Sequence, residues 1–261
     1  MSDYDRNVGA QWGASVGRAG ATEIDQGLRA YMLGVYNYMV LGLGVTGLVA
    51  YGTKMLAVAG SPSEAVARLG TIPLTSFGQM LYGSPLKWLV MLAPLAFILV
   101  FSFRIEKMSA ASARNMFIAF AAVMGLSIST MLLVFTGASV YRAFFITAAA
   151  FGGLSLYGYT TKRDLSAMGA FLVMGLIGLV IAGLVNLFVQ SSAMQFGLSI
   201  LSVLIFAGLT AWDTQSIKEM YLSSDSYEVA TKKSVNGALM LYLDFVNIFQ
   251  SLLSLTGTRN D

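Results

Sequence analysis

The chain has 261 residues, is 56% hydrophobic and only 11% charged, and carries a net charge of +3. Soluble domains are about 25% charged. This composition, with a mean hydropathy of +0.71, therefore excludes an ordinary soluble protein and marks a polytopic membrane protein, and the small net charge argues for no nucleic-acid partner. Cysteine and histidine are both absent, which excludes disulfides, thiolate chemistry, the commonest metal ligand and the usual neutral-pH proton switch.

In chain order, residues 1–24 are polar and rich in Gly, Ala and Ser, and read as a mobile N-terminal tail. They lack the basic segment, short apolar stretch and cleavage site of a signal peptide. Thr22 or Asp25 can cap a helix that runs into the membrane. The first span covers about residues 31–52, with tyrosines at both ends, as an interfacial aromatic belt requires. Gly34, Gly42, Gly44 and Gly47 on it permit close helix approach. Residues 54–84 form a long loop punctuated by Pro62 and Pro73, with a short amphipathic piece at 63–69 expected to lie at the interface. The second span, 86–103, contains Pro94, which predicts a kink, and ends in Arg104, Glu106 and Lys107.

The third span, 113–135, carries Ser127, Ser129 and Thr130 in its middle. The fourth, 140–159, reads as a packing helix because of Ala148, Ala149, Ala150, Gly152 and Gly153. A compact charged turn follows, in which Asp164 or Ser166 can cap the fifth span, 167–189, whose one strong polar group is Asn186. The sixth span begins near Met194; its apolar part ends at Trp212 and its helical pattern extends to Tyr221. After a polar loop at 222–235, the seventh span covers 237–255, and residues 258–261 are a short tail. The expected fold class is all-α, with seven transmembrane helices in one membrane domain at 25–257.

Eleven basic residues fall on the side that holds the N-terminus, and Lys54, Arg68, Lys87, Arg142 and Arg259 on the other. The positive-inside rule then places the N-terminus in the cytoplasm and the C-terminus opposite.

Two acids interrupt apolar runs: Asp213 in the sixth span and Asp244 in the seventh. A carboxylate at the centre of a membrane helix costs roughly 2.5–3.5 kcal/mol on insertion scales, so each needs a partner, a cavity or a proton. Both are expected about 12 Å in from helix ends on the same side, counting from Tyr221 and Asn236. Polar stripes share their faces: Thr210, Asp213 and Ser216 on the sixth span, and Asp244, Asn247, Ser251 and Ser254 on the seventh. Two close carboxylates cannot both ionise cheaply. A shared proton would hold the two helices together, and its loss would part them or recruit a cation such as calcium. Asp213 and Asp244 with Thr210 and Asn247 fall short of the usual six to eight calcium ligands, so any calcium site is weak or completed by water, and no tightly bound cofactor is expected. The plain alternative is that each acid makes a local structural bond. Arg104 is placed to neutralise an ionised aspartate, although an interfacial arginine snorkelling to headgroups is the simpler reading.

The segments 157–169 (YGYTTKRDLSAMG), 211–220 (AWDTQSIKEM) and 241–249 (LYLDFVNIF) resemble the Bax inhibitor family, the transmembrane Bax-inhibitor-motif proteins, and in particular its bacterial branch. The resemblance implies a seven-helix bundle with the last helix central, wrapped by the other six, in the bacterial inner membrane. It implies a pH-sensitive calcium leak whose two-aspartate sensor falls on Asp213 and Asp244, with Arg104 as a supporting residue. The competing expectation is a regulator that binds a membrane-embedded protease or another membrane protein, with the acids purely structural. An enzyme is not expected: a Ser–His protease lacks its histidine, and the contexts Trp212-Asp213 and Leu243-Asp244 are unlike those of intramembrane aspartyl proteases.

Overall fold

The computed structural model describes residues 3–260, with side chains from Gln26 onward apart from Pro62 and Glu106. Among these residues seven helices are long and apolar enough to cross a membrane. They are α1 (Asp3–Ala57), α2 (Leu86–Arg104), α3 (Ala110–Val134), α4 (Gly137–Thr160), α5 (Ser166–Val189), α6 (Ser192–Glu219) and α7 (Tyr227–Thr256). The spanning part of α1 is Gln26–Ala57. The polar stretch expected as a mobile tail is, from Asp3 on, the N-terminal part of this same helix. Once a span has nucleated a helix, each further residue adds a hydrogen bond without a second nucleation cost.

Side-chain caps set several boundaries. Ser109, Thr136, Ser191 and Ser226 each accept a hydrogen bond from the backbone N–H three residues on, and so start α3, α4, α6 and α7. The fifth helix stops at Val189, followed by Gln190 in the left-handed region at φ 51°. Asn186 pins that turn: its Oδ1 accepts from the Ser191 amide and its Nδ2 donates to Gln195. Pro94 lies inside α2, which runs unbroken to Arg104.

The loop after α1 is folded. Its 63–69 piece, expected as an interfacial amphipathic segment, enters a β-hairpin instead, β1 (Ala67–Leu69) against β2 (Ile72–Leu74), with Leu69 opposite Ile72. A two-residue turn with glycine first and φ positive suits a hairpin, and Gly70 supplies it at φ 60°. Such a short stretch cannot meet the cost of nucleating a helix on its own. The hairpin caps one end of the bundle through Leu74, Leu81, Tyr82 and Leu133, and the Tyr82 hydroxyl bonds Ser129 of α3 at 2.6 Å. Burial pushes the Tyr82 phenol above its usual range, so it stays a neutral partner. At the same end the C-terminal tail is fastened: Asn260 Nδ2 donates to the carbonyls of Leu133 and Phe135, and the Thr258 amide donates to Ser139.

The last helix lies deepest. It packs on α1, α3, α4 and α6, and 56% of its most apolar window is buried against 6% for α5. The wrapping is less even than six helices around one, since α2 packs chiefly on α3 and α5 on α6. At the centre Tyr242 meets Phe117 and Phe120 edge-on at 5.8 and 5.6 Å. Its hydroxyl bonds Thr46, which donates in turn to the Ala121 carbonyl. One tyrosine thus ties α1, α3 and α7 together.

Candidate functional site

The antiparallel register of α6 and α7 can be read from three points. Lys233 Nζ donates to the Met220 carbonyl at 2.9 Å. A Cβ on Gly237 would lie 2.9 Å from Ile217 Cγ2. Further along, Ser251 donates to Ser202 at 2.7 Å. Between these points Asp213 and Asp244 face each other, 7% and 3% exposed, with their carboxyl groups in hydrogen-bond contact.

They meet at matched depth, but the equal distance from helix ends expected for them does not hold. The seventh helix starts at Tyr227, well before Asn236. Asp213 is about 9 Å from the end of α6 and Asp244 about 26 Å into α7. They meet because the first turns of α7 run past the end of α6, where Lys233 also pairs with Asp225 at 2.6 Å.

Thr210 sits one turn before Asp213, and its side chain contacts the Asp244 carboxyl. Its hydroxyl also donates to the Phe206 carbonyl on its own helix at 2.7 Å. Asp244 Oδ2 is sealed from solvent and receives no hydrogen bond. Burying a carboxylate oxygen unpaired costs several kcal/mol as a charge and far less as an acid. A proton on one carboxyl, donated to the other, satisfies this arrangement.

Among the described residues no cation forms an ion pair with either aspartate. Lys233 pairs with Asp225 instead. Arg104 is exposed at the end of α2 and pairs with neither aspartate. Lys218, on α6, is engaged elsewhere, donating to the Tyr159 carbonyl at 2.9 Å. Asn247 donates back to Leu243 on its own helix, and Ser254 is exposed. Of the candidates, then, Asp213, Asp244 and Thr210 converge, whereas Arg104 and Asn247 make no contact with an aspartate carboxyl. Among the described residues no three acidic groups cluster as a metal site would need. Two carboxylates and a hydroxyl leave most of a calcium shell to water.

Two features around the site have no counterpart in the sequence reading. Gln215, two residues after Asp213, is buried and clamps the α4–α5 turn: its Oε1 accepts from the Leu165 amide and its Nε2 donates to the Arg163 carbonyl. A glutamine two residues from an intramembrane acid was the available signal. The second is a chain of hydroxyls. Thr214 bonds the Thr210 carbonyl at 2.7 Å and Ser155 of α4 at 2.9 Å, and Ser155 bonds Tyr36 of α1 at 2.6 Å. Polar contacts therefore run from beside the acid pair to the gap between α1 and α4.

Residues 28–261 match the family described as Inhibitor of apoptosis-promoting Bax1. The chain is 42% identical to a Rickettsia prowazekii protein over 91% of its own length and 93% of that protein. A Caulobacter vibrioides protein is 40% identical over the full length of both. The Escherichia coli inner membrane protein YbhL is 40% identical over 89% of this chain and 93% of its own.

Proposed function

This chain belongs to the Bax inhibitor family, and we propose that it is a pH-sensitive calcium leak gated by Asp213 and Asp244. The observation that carries the proposal is the pair itself: two carboxyls in contact and buried, with no ion-pair partner among the described residues. Calcium is the permeant ion here, with protons as the controlling ligand, and the lipid bilayer is the setting. The family and the E. coli relative support a bacterial inner membrane. The basic residues support a cytoplasmic N-terminus and a C-terminus on the opposite side.

One proton between the carboxyls holds α6 and α7 together. Its loss leaves two like charges in contact, and unit charges 4 Å apart repel by about 4 kcal/mol at an effective dielectric of 20. That exceeds a single net hydrogen bond of about 1 kcal/mol, such as Ser251–Ser202. The repulsion is relieved by separating the helices or by admitting a cation, and a hydrated calcium ion entering between them does both. The sign follows: low pH keeps the bridge and the closed state, and rising pH opens the leak.

The test is calcium flux into liposomes from about pH 5 to about pH 8. Wild-type flux rises across that range. Flux from the Asp213→Asn/Asp244→Asn protein is independent of pH. A mutant that retains the wild-type pH profile removes the pair from the mechanism.

A further inference from the structure

The first and fourth helices are neighbours that barely touch. The Tyr36–Ser155 hydrogen bond crosses between them near one end, and along their length they line two adjoining cavities of about 1090 and 450 Å³, the larger spanning that bond and the smaller also walled by Ile128 and Leu132 of α3. Pockets that hold whole small molecules run to about 300–1,000 Å³. Both cavities share Leu43, Gly47, Phe144 and Phe245, which places their junction at mid-membrane with α7 as the floor. The walls are apolar and open by construction. A Cβ on Gly44, Gly47 or Gly152 would meet nothing within 4 Å.

Each cavity has a cation at its outer end, Arg29 for the larger and Lys54 for the smaller. Neither has an ion-pair partner among the described residues. The two lie on the same helix, about 38 Å apart along its axis. A hydrocarbon core is about 30 Å thick and the bilayer with its headgroups about 40–45 Å, so the two cations sit at the headgroup levels of opposite leaflets. Tyrosines stand beside them at the interfacial depth they favour: Tyr159 on the Arg29 side, and Tyr51 and Tyr141 on the Lys54 side.

We propose that the α1–α4 seam is a lipid site that takes one anionic phospholipid from each leaflet, with its phosphate on Arg29 or Lys54 and its acyl chains in the slot between the helices. A cation at phosphate height above an apolar cavity distinguishes this seam from an ordinary lipid-facing surface. The lipid on the Arg29 side covers the Tyr36 and Ser155 hydroxyls, which are the outer end of the chain that reaches Thr214. This inference is independent of the calcium reading.

The test uses full-length protein in nanodiscs with phosphatidylglycerol or phosphatidylcholine carrying a mid-chain photoreactive group, and labelled peptides are mapped by mass spectrometry. Labelling of the segments holding Leu43 and Phe144 is expected to be about fivefold higher with the anionic lipid, the effect of one basic residue near a membrane surface. Arg29→Gln and Lys54→Gln each lower it in their own half of the seam. Gly44→Leu with Gly152→Leu fills the larger cavity and lowers labelling there; unfolding is not the cause if the melting temperature holds, since leucine is the better helix former. Equal labelling by the two lipids, labelling spread evenly over α2 and α5, persistence in the filled variant, or cross-links between two copies across the seam would each overturn the proposal.

Discussion

The α6–α7 and α1–α4 seams are built from similarly apolar helices and end up opposite in character. At α6–α7 the Ile217 side chain packs directly onto Gly237, the two carboxyls are buried, and serine hydroxyls stitch the far end. At α1–α4 the glycines face empty space and the cations stand at the rims. Carboxyl groups are buried where packing is tight enough to exclude water. Where packing is loose, charge stays at the headgroup level and the interior remains apolar. The difference shows that small residues in a membrane helix do not by themselves mark an interface; the facing helix decides whether a glycine is a contact or a gap.

One helix tests that contrast directly, because α4 belongs to both environments. Gly158→Ala puts a Cβ 2.1 Å from the Ala211 carbonyl oxygen of α6, so backbone has to move. We expect a loss of about 1–3 kcal/mol, read as a lower melting temperature in detergent or nanodiscs. Next in size is Thr214→Val, which removes the hydroxyl linking α6 to Ser155 and costs about 1 kcal/mol. It leaves Tyr36–Ser155 in place, so a Tyr36→Phe/Thr214→Val double mutant should lose more than either single change. Gly152→Ala, six residues before Gly158 on the same helix, faces the open seam and should raise stability by about 0.5–1 kcal/mol through helix propensity alone. If Gly152→Ala proves as damaging as Gly158→Ala, the seam is closed in the membrane and the contrast fails.

The smallest effect lies at the turn that Gln215 clamps. The Ser166 amide donates to Asp164 Oδ1 at 2.8 Å and, with the Ser166 side chain, holds that carboxyl below its usual range. A depressed folded pKa gives stability above the ordinary carboxylate value, near 3.9, and that stability disappears as pH falls through the folded value. Asp164→Ala should therefore lower the melting temperature slightly near neutral pH and not at all in strong acid, because this side chain is fully exposed. A difference that persists in acid would assign the effect to something other than the charge.

Hydropathy alone marked all seven spans and set the bounds of five of them, α2 through α6, to within a few residues, since an apolar run flanked by charge has one stable location in a bilayer. It placed Asp213 and Asp244 as costs needing a partner, and the polar stripe containing Ser251 pointed to the correct neighbour. It misread the start of α7, because Tyr227–Val235 is a polar helix outside the apolar window. It missed the β-hairpin, whose strands are three residues each. It also expected Gly152 and Gly153 to pack, and both face space.

The sequence by itself determined the membrane class, the number of spans, the absence of any histidine or thiol to share the proton chemistry, and the two acids that must find each other. Only the tertiary structure decided the register that brings Asp213 to Asp244, the isolation of Arg104 from them, and the open seam between α1 and α4. The physical reason is that lipid tails and protein interiors are almost equally apolar. A hydrophobic helix therefore carries little record of which face meets protein and which meets lipid. That assignment comes from shape, through contacts such as Gly237 on Ile217 and Gly158 on Ala211, and it appears only once the helices are packed.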